Sequence, residues 1–189
     1  MAGGHTFLFT DLVGFTALTA AEGDERGADV AIEFCERVRP LLGRHRAEEV
    51  KSIGDALMLR GEDPALGIQL GLRIVHELEQ VEGFPPVRVG VHTGPAVTRA
   101  GDWYGSTVNI AARLCAAAGG GEVLVSEDAV SAAGRLRHVE LGERRLHWLK
   151  NVTEPVAART VAARECLGRL GRRLGSVDRL FKPATGSMA

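Results

Sequence analysis

Three short stretches carry residue types that could act together on a phosphate group. Asp11 stands in Phe9-Thr10-Asp11-Leu12-Val13-Gly14-Phe15-Thr16, and Asp55 in Lys51-Ser52-Ile53-Gly54-Asp55-Ala56. Asp102-Trp103-Tyr104-Gly105-Ser106-Thr107-Val108-Asn109-Ile110-Ala111-Ala112-Arg113 follows. Two carboxylates delivered from the ends of two strands commonly hold a hard divalent cation, which shares its remaining positions with water and substrate phosphates. Mg²⁺ or Mn²⁺ is the expected ion. A lone Asp beside Gly more often caps a turn, but two in such frames favour the metal. Asn109 and Arg113 are four apart in a helical stretch and therefore share a face, with Val108, Ala111, Ala112 and Cys115 on the neighbouring one. Arginine keeps its charge and offers paired donors, which suits an electron-rich phosphoryl group. Standing alone, such an Arg would more often pair with a surface carboxylate.

These residues need elements to carry them. The β-favouring run 6–10 predicts a first strand that delivers Asp11 at its C-terminal end, with Gly14 and Thr16 turning into a helix. Backbone N–H groups of Val13, Gly14, Phe15 and Thr16 at that helix start would suit a phosphate chain. No Gly-x-x-x-x-Gly-Lys-Ser/Thr motif is present, which argues against a Walker-type site, and Gly119-Gly120-Gly121 reads as a helix stop. Residues 25–45 show apolar Ala31, Phe34, Cys35, Val38, Leu41 and Leu42 at helical spacing. Segments 48–52 and 56–59 predict a hairpin turning at Gly54-Asp55. Asp63-Pro64 predicts a capped helix start. Strands are expected at 87–91, 122–125, 136–141 and 156–161, and a helix over 107–117. The order β-α-β-β-α-β, then α-β and further strands, predicts an α+β sandwich on a ferredoxin-like unit, with helices on one face of a mainly antiparallel sheet.

The 189 residues, 45% hydrophobic and 25% charged, suit one domain, expected over residues 1–161, with a short appendage at 162–189. A net charge of -1 offers no global field for nucleic acid, so the expected ligand is small and no nucleic-acid partner is expected. Cys35, Cys115 and Cys166 are odd in number and lack metal-type spacing, which fits the reducing cytoplasm. Neither a leader nor a membrane-spanning run is read in the chain. In the appendage, basic residues such as Arg164, Arg169 and Arg173 alternate with Leu167, Leu170 and Leu174. A basic amphipathic helix there could lie on a membrane surface or bind a partner, although docking on its own domain is the commoner case. It is read as non-catalytic, helical or disordered.

Taken in order, the three motifs resemble the catalytic domain of class III nucleotidyl cyclases, the adenylyl and guanylyl cyclases. The likeness extends over residues 6–156. It implies that Asp11 and Asp55, with the Leu12 backbone carbonyl, hold two divalent cations. Lys51 and Asp102 would be the purine-selecting pair, Asn109 would orient the ribose and Arg113 would meet the transition state. Leu149-Lys150-Asn151-Val152-Thr153-Glu154-Pro155-Val156 resembles the family's C-terminal motif, whose lysine reaches the terminal phosphates; a plain surface lysine is the alternative for Lys150. The resemblance also implies a homodimer whose two-fold interface divides each site between chains.

Adenine presents an acceptor at N1 and a donor at N6, whereas guanine reverses both. A Lys donor with an Asp acceptor therefore favours ATP, and a mispaired guanine would cost roughly 1–3 kcal/mol per contact. The resemblance thus implies an adenylyl cyclase closing ATP to 3′,5′-cyclic AMP. Guanylyl cyclase and a silent nucleotide-binding module are the alternatives. A diguanylate cyclase is disfavoured because Gly120-Gly121-Glu122 is followed by Val123. Trp103-Tyr104 is bulkier than the Ile-Trp of some relatives, and Ala112 stands where serine is common, which bears on the rim of the pocket and the dimer contacts.

Overall fold

The structure is a computed structural model and describes residues 4–164. In chain order it comprises β1 (His5–Leu12), α1 (Phe15–Glu22), α2 (Asp24–Leu42), β2 (Ala47–Ile53), β3 (Ala56–Gly61), α3 (Pro64–Glu79), β4 (Val87–Gly94), β5 (Val97–Arg99), β6 (Asp102–Tyr104), α4 (Ser106–Ala117), β7 (Val123–Ser126), α5 (Glu127–Ala133), β8 (Val139–Leu141), β9 (Arg145–His147) and β10 (Val156–Ala163). The main sheet runs β2-β3-β1-β4-β7-β10-β8, with β9 also on β10, while β5 and β6 form a separate pair. Among the described residues only β4 and β7 pair in parallel; the other paired strands of the main sheet are antiparallel. The α+β expectation holds.

Alternation along β1 decides the two faces. Leu8 and Leu12 enter one core with Val30, Phe34 and Val38 of α2, Ile68, Leu70 and Ile74 of α3, and Ala129 of α5. Phe7 points the other way, meeting Met58, Val108 and Ala111. The helices therefore cover both faces rather than one, because α4 returns across the back of β1 and β4. Gly90 makes this possible: a Cβ there would lie 2.1 Å from the Cys115 nitrogen, so only glycine lets α4 come this close. Fully buried side chains such as Leu8, Phe34 and Ile68 each stabilise the fold by roughly 1.5–3 kcal/mol through removal from water.

Several boundaries moved. α2 stops at Leu42, followed by a single 3₁₀ turn over Gly43–His45. Asp63 caps α3 as expected, its Oδ1 accepting from the backbone N–H groups of Ala65 at 2.8 Å and Leu66 at 3.2 Å. The β5–β6 hairpin, α5 and β9 were not expected. Of these, α5 buries only Ala129 and so shows no stripe, yet Ser126 caps it through Ala129 N–H at 3.1 Å. β10 extends to Ala163, past the expected limit at 161. The basic tail beyond residue 164 lies outside the described residues.

Candidate active site

Strand register brings the two candidate metal ligands together. Asp11 pairs across β3 with Ala56, so Asp55, in the two-residue turn between Ile53 and Ala56, lies beside it. Gly54 opens that turn at φ +61°, a region other residues avoid. Burial, and then the Asp11 charge, raise the Asp55 carboxyl above its ordinary value, opposed by N–H groups of Asp55 itself and of Leu12. Two neighbouring carboxylates that resist joint ionisation are a fitting seat for a divalent cation. Among the described residues no three His, Cys, Asp or Glu side chains converge. A hard divalent cation held by two carboxylates fills its remaining positions with water or substrate oxygens.

Arg88 was missed in the sequence. Asp11 also pairs with it across β4, and cross-strand partners share a face. Its Nε donates to Asp11 Oδ2 at 2.8 Å, Nη2 reaches the same oxygen, and Nη1 donates to the Ala116 carbonyl at 3.1 Å. The visible signal was an Arg between the valines at 87 and 89 of a strand. Asp11, Arg88, Ala56, Ala112, Cys115 and Ala116 line a shallow cavity of about 190 Å³. Cys115, its thiol pushed up to about 12 chiefly by burial, is a packing residue and not a nucleophile there.

Lys51 and Asp102 meet as expected, from β2 and the separate β6. Lys51 Nζ lies 2.5 Å from Asp102 Oδ2, and Trp103 N–H donates to Oδ1 at 2.8 Å. The Lys51 hydrogen bond, then the Trp103 N–H, hold the Asp102 carboxyl below its ordinary value, with a smaller contribution from the Tyr104 hydroxyl. Asp102 is thus an ionised acceptor next to a cationic donor.

Asn109 and Arg113 sit on the exposed side of α4, whose other faces carry Val108, Ala111 and Leu114 inward. Among the described residues neither side chain has a hydrogen-bond or ion-pair partner, so the surface-pair alternative for Arg113 is not realised. At the first turn of α1, Gly14 takes φ +82°, and the N–H groups of Phe15 and Thr16 fall where a helix leaves its donors unpaired. Val13 departs from expectation: its N–H already donates to the Pro86 carbonyl at 2.8 Å. Lys150 is exposed in the turn between β9 and β10. The structure joins Asp11 with Asp55 and Lys51 with Asp102, and leaves Asn109, Arg113 and Lys150 presented outward.

Residues 3–147 match the family model of the adenylate and guanylate cyclase catalytic domain. Lys150 falls outside that span. The pH-sensitive adenylate cyclase of Mycobacterium tuberculosis is 40% identical over 129 residues, covering 68% of this chain and 32% of its own length. An adenylate cyclase of Streptomyces griseus is 36% identical over 135 residues, covering 71% and 33% respectively. This chain therefore spans about a third of those curated relatives. Among solved structures, a Trypanosoma brucei adenylate cyclase described in its monomeric state superposes with a TM-score of 0.76 at 24% identity, covering 87% of this chain and 90% of that one. The family generally works with divalent metal ions, and no helix among the described residues is long and apolar enough to cross a membrane. Motif order, strand register and the extent of the match converge: the chain belongs to the adenylate and guanylate cyclase catalytic domain family.

Proposed function

We propose that this chain is an adenylyl cyclase that converts ATP to 3′,5′-cyclic AMP and pyrophosphate, in sites shared by two copies in the cytoplasm. The observation that carries the reading is the Asp11–Asp55 pair, two carboxylates on neighbouring strand ends whose mutual repulsion a divalent cation relieves. Its catalytic unit is residues 1–161, with 162–189 as a non-catalytic basic tail that makes at most a weak contact to a partner or membrane surface. Asp11, Asp55 and the Leu12 carbonyl would hold two Mg²⁺ or Mn²⁺ ions, which when bound acidify the ribose 3′-hydroxyl and neutralise triphosphate charge.

In the reaction the 3′-oxygen attacks the α-phosphorus in line, the bond to the β-phosphate oxygen breaks, and the 3′ proton passes to solvent. Lys51 donates to adenine N1 and Asp102 accepts from its N6 amine. Asn109 holds the ribose, and Arg113 meets charge developing on the α-phosphate. The free donors of Gly14, Phe15 and Thr16, with Lys150, face the phosphate chain and the departing pyrophosphate. Lys51 with Asp102 disfavours the guanylyl alternative.

Lys51, Asp102, Asn109, Arg113 and Lys150 serve one site, while Asp11, Asp55 and the phosphate loop serve the other across the two-fold axis. Asp55→Ala protein is inactive alone and Arg113→Ala protein is slowed by about 10²–10³-fold; mixed, they regain activity in one of the two composite sites. No recovery, with heterodimer formation demonstrated, contradicts the shared site. Initial rates with ATP and GTP test the substrate: ATP is expected to win by about ten- to hundredfold per mispaired contact.

A further inference from the structure

Asp102 belongs to a hairpin that forms its own two-stranded sheet, so no backbone ladder ties it to Lys51 on the main sheet. Its neighbour Trp103 supplies the tie. The Trp103 ring centroid lies 4.5 Å from that of His5 and 5.7 Å, edge-on, from that of Phe7. The Arg60 guanidinium carbon is 4.6 Å from the ring centre, within cation–π range. Phe7 and Arg60 are direct partners across β1 and β3, so the ring is seated on the main sheet itself.

Arg60 is in turn held firmly. It donates to Glu48 at 2.9 Å and Glu62 at 3.0 Å, and its Nε and Nη2 lie 3.2 and 2.8 Å from His5 Nδ1. With its side chain only 14% exposed, it has little freedom to leave the ring. At the other end, the backbone N–H of Trp103 holds Asp102 Oδ1 while Lys51 takes Oδ2. Any displacement of Trp103 is therefore passed to both oxygens of the carboxylate, and hydrogen bonds weaken steeply as their angles close.

We propose that Trp103, clamped by His5, Phe7 and Arg60, is the positioning residue that fixes Asp102 against Lys51 and thereby sets the choice between adenine and guanine. This rests on the reading of Lys51 and Asp102 as the base-reading pair. The ring acts through Asp102; it does not touch the base. An aliphatic side chain in place of Trp103 would offer Arg60 no π face.

The test is Arg60→Met, which keeps an apolar stem over the ring and removes the cation, beside Arg60→Lys, which keeps the cation. Arg60→Met raises KM for ATP and lowers the ATP/GTP ratio of kcat/KM by about three- to tenfold, with kcat changed by less than about twofold. Arg60→Lys recovers most of the ratio. A folded Arg60→Met protein with wild-type KM and ratio overturns the proposal, because a merely structural Arg60 would shift the melting temperature alone. If Arg60→Met does not fold, Trp103→Phe decides by the same ratio, with a partial loss expected and no loss contradicting the clamp.

A second arm needs no turnover. The chain has 2 Trp, so in a Trp148→Phe background Trp103 is the sole indole fluorophore. Arg60→Met increases acrylamide quenching of that fluorescence; an unchanged quenching constant removes the clamp. A wild-type protein indifferent to ATP and GTP would instead refute the base-reading assignment, and the quenching result would still decide whether the clamp exists.

Discussion

Asp55 occupies a place where a negative charge is costly without a cation. Burial and the neighbouring Asp11 raise its carboxyl value, so ionising it destabilises the metal-free fold. Asp55→Asn removes that charge at nearly constant volume. The expected outcome is a higher melting temperature for the metal-free protein, smaller stabilisation by added Mn²⁺, and loss of activity, read by thermal denaturation with and without the ion. Unchanged Mn²⁺ stabilisation would contradict the metal role. Arg113, exposed and unpartnered among the described residues, contributes little to folding. Arg113→Ala should keep the wild-type melting temperature while kcat falls by about 10²–10³-fold, the loss seen when a donor to a developing oxyanion is removed. At this scale the sequence was informative about side chains in ordered motifs, but not about Arg88. Its partnership with Asp11 depends on β1 and β4 lying side by side in one register, which local spacing does not encode.

Elements were legible where one physical signal dominated. Asp63 before Pro64 announced α3, because capping is local, and the valines at 87, 89 and 91 announced β4, although the structure buries that strand on both faces. The β5 and β6 strands have three residues each, too few for periodicity to show, and α5 buries a single residue. The placement of α4 behind the sheet was invisible for another reason: it depends on the space Gly90 leaves for the backbone of Ala111 and Cys115. Gly90→Ala should therefore dislodge α4, lowering the melting temperature by several degrees and activity with it, since Asn109 and Arg113 ride on that helix. Asp63→Ala makes the contrasting case. Loss of the cap costs about 1 kcal/mol, or roughly 2–4 °C in a domain of this size, with activity retained at temperatures where the protein stays folded.

Across the whole molecule, two histidines on the α4 face of the sheet tie stability to pH. His92 is 5% exposed, and its Nδ1 lies 2.7 Å from Ser126 Oγ, the cap of α5. Burial lowers its proton affinity, with Asp128 opposing, and burial followed by Arg60 does the same for His5. With folded values depressed, the stability associated with both is complete above the ordinary histidine value near 6.5 and is lost as pH falls below it towards the folded values. The melting temperature should thus fall as the pH is lowered below about 6.5. Asp55, with a raised value, acts in the opposite sense at lower pH. His92→Gln should flatten the drop, and an unchanged profile would exclude His92 as a contributor.

The central claim concerns one bond made and one broken on a nucleotide. The most direct measurement is mass analysis of the products after incubation of the purified protein with ATP and Mn²⁺, with Asp55→Ala alongside. The wild-type protein should yield cyclic AMP and pyrophosphate in equal amounts, and the variant neither. Appearance of ADP or linear AMP in place of the cyclic product, or undiminished cyclic AMP from Asp55→Ala, would contradict it.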